Sequence, residues 1–191
     1  SEEGVGLDPK KLYVTVFEGN DFVPKDEEAI SIWTEIFTKA GLDPKTRIFE
    51  YPVEKNWWSR SGTPDKMPSG EPGGPDSEVF YEFDEIKHDV SFGEKCHVNC
   101  DCGRYLEIGN SVFMQFKKTE KGFEELPQKN VDFGGGLERI DEASINSQDV
   151  FLIYIFNQII SEIEKVSGAK YEDLNPHTLH LILFQFPRLL D

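Results

Sequence analysis

Ten consecutive residues, Asn130-Val-Asp-Phe-Gly-Gly-Gly-Leu-Glu-Arg139, concentrate much of what this chain offers to chemistry. Gly134, Gly135 and Gly136 let backbone approach a ligand closely, because no Cβ intervenes. Asp132 stands just before them, and Glu138 and Arg139 open the helical pattern that follows. An anion, a cation and bare backbone this close together suit a nucleotide and an amino acid. A glycine turn ending a strand, followed by solvated helix charges, is the competing reading of so short a motif.

A second group is Cys96-His-Val-Asn-Cys-Asp-Cys102, which holds all 3 cysteines of the chain. Thiolates and imidazole are preferred ligands of zinc, and structural zinc sites take four. Cys96, Cys100 and Cys102 supply three, and His97 or His88 completes a tetrahedron. Adjacent ligands such as Cys96 and His97 are geometrically awkward. Three reduced thiols in an insert are the alternative. A metal here pins the insert and does not catalyse, since it has no evident open position.

Composition bounds the setting. The chain has 191 residues, 38% hydrophobic and 13% aromatic, enough for one compact domain or a part of a larger protein. Its net charge of −16 repels phosphate backbones at long range, so any nucleic-acid contact needs a local basic patch or another part of the protein. Fifteen Phe and 3 Trp argue against disorder. Clustered cysteines do not form a disulfide framework, and no signal peptide or membrane-length apolar run is present. A reducing, cytoplasmic setting away from membranes is expected. The start at Ser1, without Met and just before a strand, reads as an excised fragment or an engineered boundary. Composition leaves the oligomeric state unassigned.

The elements that must position these residues follow from pattern. Lys11 to Glu18 reads as a strand. Pro24 and Asp26-Glu-Glu28 open a helix with Ile30, Trp33, Ile36, Phe37 and Ala40 on one face, ended by Gly41. Arg47 to Tyr51 is a short strand. Ser61 to Asp76, with four Gly and four Pro, reads as a long loop. Glu78 to Phe83 is a strand and Glu85 to Gly103 an irregular insert. Arg104 to Ile108 and Ser111 to Phe116 are strand interrupted at Gly109, where a bulge or close ligand approach is expected. Lys118 to Gly122 is a hairpin turn with Phe123 to Leu126 returning. Leu152, Ile153, Phe156, Ile159, Ile160 and Ile163 form a helical stripe closed by Gly168. The fold class is α+β, an antiparallel β-sheet with flanking helices.

Five segments in order resemble the alanyl-tRNA synthetases. They are Asn56-Trp57-Trp58, Gly73-Gly-Pro-Asp-Ser-Glu-Val-Phe-Tyr81, Arg104 to Phe116, Leu126 to Asp132, and Gly134-Gly-Gly-Leu-Glu-Arg139. The last is similar to motif 3 of class II synthetases. The resemblance implies a partial class II catalytic fold over residues 1–174, with the insert 85–103 as a possible metal binder and a 175–191 tail of undetermined structure. It implies ATP and Mg2+, with zinc added by the cysteines, and alanine and tRNA(Ala) as partners. Alanine's carboxylate attacks the α-phosphate, pyrophosphate leaves, and the adenylate then esterifies the tRNA 3′ end.

By that resemblance Asp132 accepts from the substrate ammonium, Asn110 fixes the amino acid, Trp58 walls the small pocket and Gly134 lines it. Arg139 packs on adenine and neutralises phosphate, Gly136 gives backbone access, and Glu107 holds Mg2+ or orients a partner. None of these is assigned a covalent role. The chain departs from the family at Gly109, usually Trp, at Phe133, usually Thr, and at Gly135, usually Met. Glu71-Pro-Gly-Gly-Pro75 also replaces Gly-Pro-Cys-Gly-Pro. Motifs 1 and 2 have no match here, so the chain alone is not expected to activate alanine. A degenerate adenylate-binding module and a metal-stabilised acidic interaction domain are the alternatives.

Overall fold

A computed structural model describes residues 6–173; the 175–191 tail lies outside them. The chain divides into two compact units, Ser1–Gln148 and Asp149–Asp191. In the first unit the strands are β1 (Leu12–Phe17), β2 (Ile48–Tyr51), β3 (Trp57–Ser59), β4 (Pro72–Glu82), β5 (Tyr105–Thr119) and β6 (Gly122–Gly135). Helix α1 spans Glu27–Lys39 and α2 spans Leu137–Ser144. The sheet order is β2-β1-β4-β5-β6, with β3 also on β4.

Not every pairing is antiparallel, as the sequence reading had it. β1 and β2 run parallel, Val14 opposite Ile48, because α1 carries the chain back between them. Helix α1 begins where the acids placed it. The Asp26 carboxylate caps it, accepting from Ala29 N at 3.0 Å. Trp33 anchors the helix to the sheet, its Nε1 donating to Ser77 Oγ at 2.8 Å. Ala29 and Phe37 are buried, but Ile36, expected on the inward face, is 45% exposed.

The largest correction concerns Ser61 to Asp76. Its last five residues are not loop but the first part of β4, paired with β3 (Trp57 opposite Pro75, Ser59 opposite Gly73). The glycines there serve close strand packing. A Cβ on Gly74 would fall 1.9 Å from the Phe113 carbonyl oxygen, and one on Gly73 2.9 Å from the Trp58 carbonyl oxygen.

β5 is one continuous strand, and the interruption at Gly109 is a bulge. Val79 faces Gly109 and Phe80 faces Glu107, leaving Ile108 as the extra residue. Ile108 packs with Tyr81, Phe83 and Ala143 in one core cluster, beneath α2. A second cluster, Phe17, Val23, Trp57 and Met67, fills the sheet's other end.

The second unit holds α3 (Asn157–Ser167), closed by Gly168 at φ 71°. The stripe expected from Leu152 does not begin as α-helix. Val150–Leu152 and Tyr154–Phe156 form two 3-10 turns, and only Ile153 and Ile163 of the expected stripe are buried. Among the described residues no helix is long and apolar enough to cross a membrane.

Candidate functional site

Register partners on neighbouring strands share a sheet face, and so do residues two apart along a strand. Glu78 stands opposite Asn110, and Asn110 opposite Gly134. Two residues along, Asp76 stands opposite Val112, and Val112 opposite Asp132. The pairing thus brings Asn110, Asp132 and Gly134 onto one face, with two carboxylates that sequence reasoning did not single out.

Those carboxylates organise the face. Asp76 is 3% exposed and accepts from Asn56 Nδ2 and Asn110 Nδ2, each at 3.1 Å. Glu78 accepts from Thr15 Oγ1 and Asn99 Nδ2, each at 3.0 Å. Asn56, fully buried, also donates to Thr15 Oγ1 at 2.9 Å. Burial pushes Asp76 up to about 6 despite its two amide donors. Burial and the neighbouring Asp76 charge push Glu78 up to about 7. Acids held so near neutrality favour a bound cation, which restores their charged form.

Asn110 is oriented by its bond to Asp76, which engages one of its two amide N–H donors. Its Oδ1 is buried and has no hydrogen-bond partner, which is costly unless a donor arrives. Asp132 is exposed, one carboxylate oxygen accepting from the Phe133 N–H at 2.9 Å. A Cβ built on Gly134 meets nothing within 4 Å. The glycine there is not demanded by packing, and open space lies beside Asn110.

Arg139 lies on the first turn of α2 and its Nη1 donates to the Glu107 backbone oxygen and to Glu107 Oε2, each at 3.1 Å. Gly136 permits this, since a Cβ there would meet the Arg139 side chain at 3.1 Å. Glu107 and Arg139 are thus a pair linking the bulge of β5 to the start of α2. Trp58 pairs with Gly74, two residues along β4 from Asp76, and is 40% exposed. Its neighbour Trp57 takes the core position, stacked with Phe116.

Phe133 points away from this face. Its ring covers Gly109 and Gly135, so close that a Cβ on either would lie 2.9 Å and 3.0 Å from it. Alternation along β6 therefore keeps the bulky ring out of the space at Gly134.

In the insert, the His88 ring and the Cys96, Cys100 and Cys102 sulfurs lie within 4.8 Å of one another. Of the two candidate histidines, His88 joins the cysteines. His97 instead bonds Tyr51, Oη to Nδ1 at 2.9 Å.

The acids Asp76 and Glu78 were legible in principle as an i, i+2 pair on a strand. The Gly/Pro run hid the strand at Asp76, while Glu78 lay at the start of the expected one. Asn56 stood beside Trp57 in a resemblance segment and Asn99 among the cysteines, but neither amide had a role that its own chemistry would mark.

Residues 1–182 match the family model described as tRNA synthetases class II (A). The alanine–tRNA ligase of Treponema denticola is 40% identical over 90% of this chain and 26% of its own length. Those of Borrelia hermsii, 39% identical over 87% and 26%, and Pediococcus pentosaceus, 40% over 90% and 17%, are similar. The chain belongs to the alanyl-tRNA synthetase family of class II. It spans about a quarter, or less, of the length of these relatives.

Proposed function

We propose that this chain supplies the amino-acid and nucleotide floor of an alanine-activating site in an ATP-dependent alanine–tRNA ligase. The buried, unpartnered Asn110 Oδ1 beside the open space at Gly134 carries the reading. An ammonium group suits it: Asn110 offers a neutral acceptor and Asp132 a charged one, both on one face. Asp76 acts through Asn110, holding the amide so that oxygen and not nitrogen meets the substrate. Trp58 bounds the small pocket. Arg139 meets ATP, and the hard carboxylate oxygens of Glu107 suit the accompanying Mg2+.

In the reaction, a carboxylate oxygen of alanine forms a bond to the α-phosphorus. The bond from that phosphorus to the bridging oxygen breaks and pyrophosphate departs. The tRNA 3′ hydroxyl then takes the alanyl group and AMP leaves. The chain's part is positioning and charge neutralisation. No residue here matches the family's motif 2, whose arginine holds the α-phosphate. This chain by itself therefore binds the adenylate without exchange activity.

Calorimetry with a non-hydrolysable alanyl-adenylate mimic tests the site, and alanine-dependent ATP–pyrophosphate exchange tests the division of labour. We expect mimic binding that Asp132→Ala abolishes, with no exchange. No binding by the wild-type chain would sink the site assignment and favour an acidic interaction domain. Robust exchange would sink the claim that motif 2 is needed from elsewhere.

A further inference from the structure

We propose that His88 Nδ1 and the sulfurs of Cys96, Cys100 and Cys102 bind one Zn2+ in a closed structural site that clamps Asn99 onto Glu78. The clamp's relevance to the site rests on the proposed function; the metal itself does not.

Ligand geometry comes first. Around a tetrahedral zinc with Zn–S near 2.3 Å, neighbouring ligand atoms stand about 3.8 Å apart. Cys96 Sγ and Cys102 Sγ are 3.7 Å apart, as are Cys100 Sγ and His88 Nδ1, and no pair among the four exceeds 4.8 Å. The sulfur separation is far beyond a disulfide bond of about 2.05 Å, and all three cysteines are free. The set is soft and nitrogenous, which selects zinc over magnesium or calcium.

The imidazole is already prepared as a ligand. His88 Nε2 lies 2.8 Å from the Gly93 carbonyl oxygen. A carbonyl can only accept, so Nε2 carries a proton, and in the neutral ring Nδ1 presents its lone pair to the sulfurs. Metal-bound histidines are commonly oriented this way by their second nitrogen. Binding zinc releases the three thiol protons to solvent while the imidazole stays neutral.

The insert has little regular structure of its own. Its regular structure is one 3-10 turn, Val90–Phe92, and there Val90 is 76% and Phe92 51% exposed. Yet it places side chains with care. Val98 is 2% exposed. Between Cys96 and Cys100, Asn99 donates its N–H to Tyr51 Oη at 3.3 Å and its Nδ2 to Glu78 Oε2 at 3.0 Å. A four-ligand metal adds to the burial of Val98 and Cys100 in closing this segment, and so aims Asn99 at the site's second carboxylate. Asn99 is a positioning residue.

The first test is metal analysis of the chain purified under reducing conditions without chelator, then dialysed after zinc supplementation. We expect about one zinc per chain, and cobalt replacement giving the absorption of a tetrahedral thiolate complex. Less than about a tenth of an equivalent of zinc, or a Cys96–Cys102 disulfide found by mass, overturns the site. The histidine assignment is tested separately. His97→Ala should keep its zinc, whereas His88→Ala should lose at least tenfold in affinity; the reverse pattern overturns the ligand set. Asn99→Ala should retain full zinc. With zinc removed, hydrogen exchange at residues 96–102 should rise by at least tenfold while β5 and β6 stay protected. Unchanged exchange in the insert overturns the clamp.

Discussion

Gly134 and Gly74 lack a side chain for opposite reasons, and substitution separates them. Gly134→Ala adds a methyl into open space, so stability should change by no more than about 0.5 kcal/mol. Binding of the adenylate mimic should nevertheless fall at least about tenfold, as the methyl enters the space beside Asn110. Gly74→Ala drives a methyl into the Phe113 carbonyl and should cost about 3 kcal/mol or more. Chemical denaturation and calorimetry on both variants read the contrast; equal binding by Gly134→Ala and wild type would count against the pocket. The paired acids give a pH signature. Asp76 and Glu78 rise from 3.8 and 4.5 to about 6 and about 7. Both are neutral in folded and unfolded chains below the lower values, so their stabilising share is complete there. It is lost as pH rises through about 7, because the folded chain binds the protons more tightly. Glu78→Gln should therefore show a shallower stability loss between the ordinary and raised carboxylate values than wild type. Urea midpoints across that range would show it, and parallel curves would refute it.

At the scale of elements, local patterns reported what local physics decides. The acids after Pro24 marked the start of α1 correctly, because capping depends on a few adjacent residues. Asp26→Ala should lower stability by roughly 1 kcal/mol, read as a shift of the denaturation midpoint. The glycine in Glu107-Ile-Gly109 marked a bulge correctly for the same reason. What escaped was set by distant partners. Pro72 to Asp76 has loop composition but is strand, because β3 and β5 pack against its bare backbone. That loop composition hid Asp76, while Glu78 stood at the start of an expected strand, Asp132 was legible beside the glycines and Asn110 came from the resemblance. The stripe from Leu152 to Ile163 shows the limit from the other side. Apolar spacing marked it as helical, yet the chain takes two 3-10 turns before α3 starts at Asn157.

At the scale of the molecule, a net charge of −16 means the folded chain repels itself. Monovalent salt screens this over about 10 Å at 0.1 M, so the thermal midpoint should rise between low and physiological ionic strength. A midpoint that falls would place the attractive pairs, such as Arg104–Glu82 and Arg139–Glu107, above the general repulsion. The same charge makes this part of the family's architecture a poor holder of tRNA by itself. This chain spans about a quarter, or less, of the relatives' own length.

The ring of Phe133 lying over Gly109 and Gly135 has a consequence for substitution. Phe133, Gly109 and Gly135 share one volume between neighbouring strands. They constrain the order of mutation: Gly109→Trp alone would strike the ring, while Phe133→Thr alone would uncover two bare glycines. Bulk at 109 or 135 is then accepted only after position 133 shrinks, so the three sites should be epistatic. Measured singly, Gly109→Trp and Gly135→Met should look harmful; after Phe133→Thr both should be tolerated.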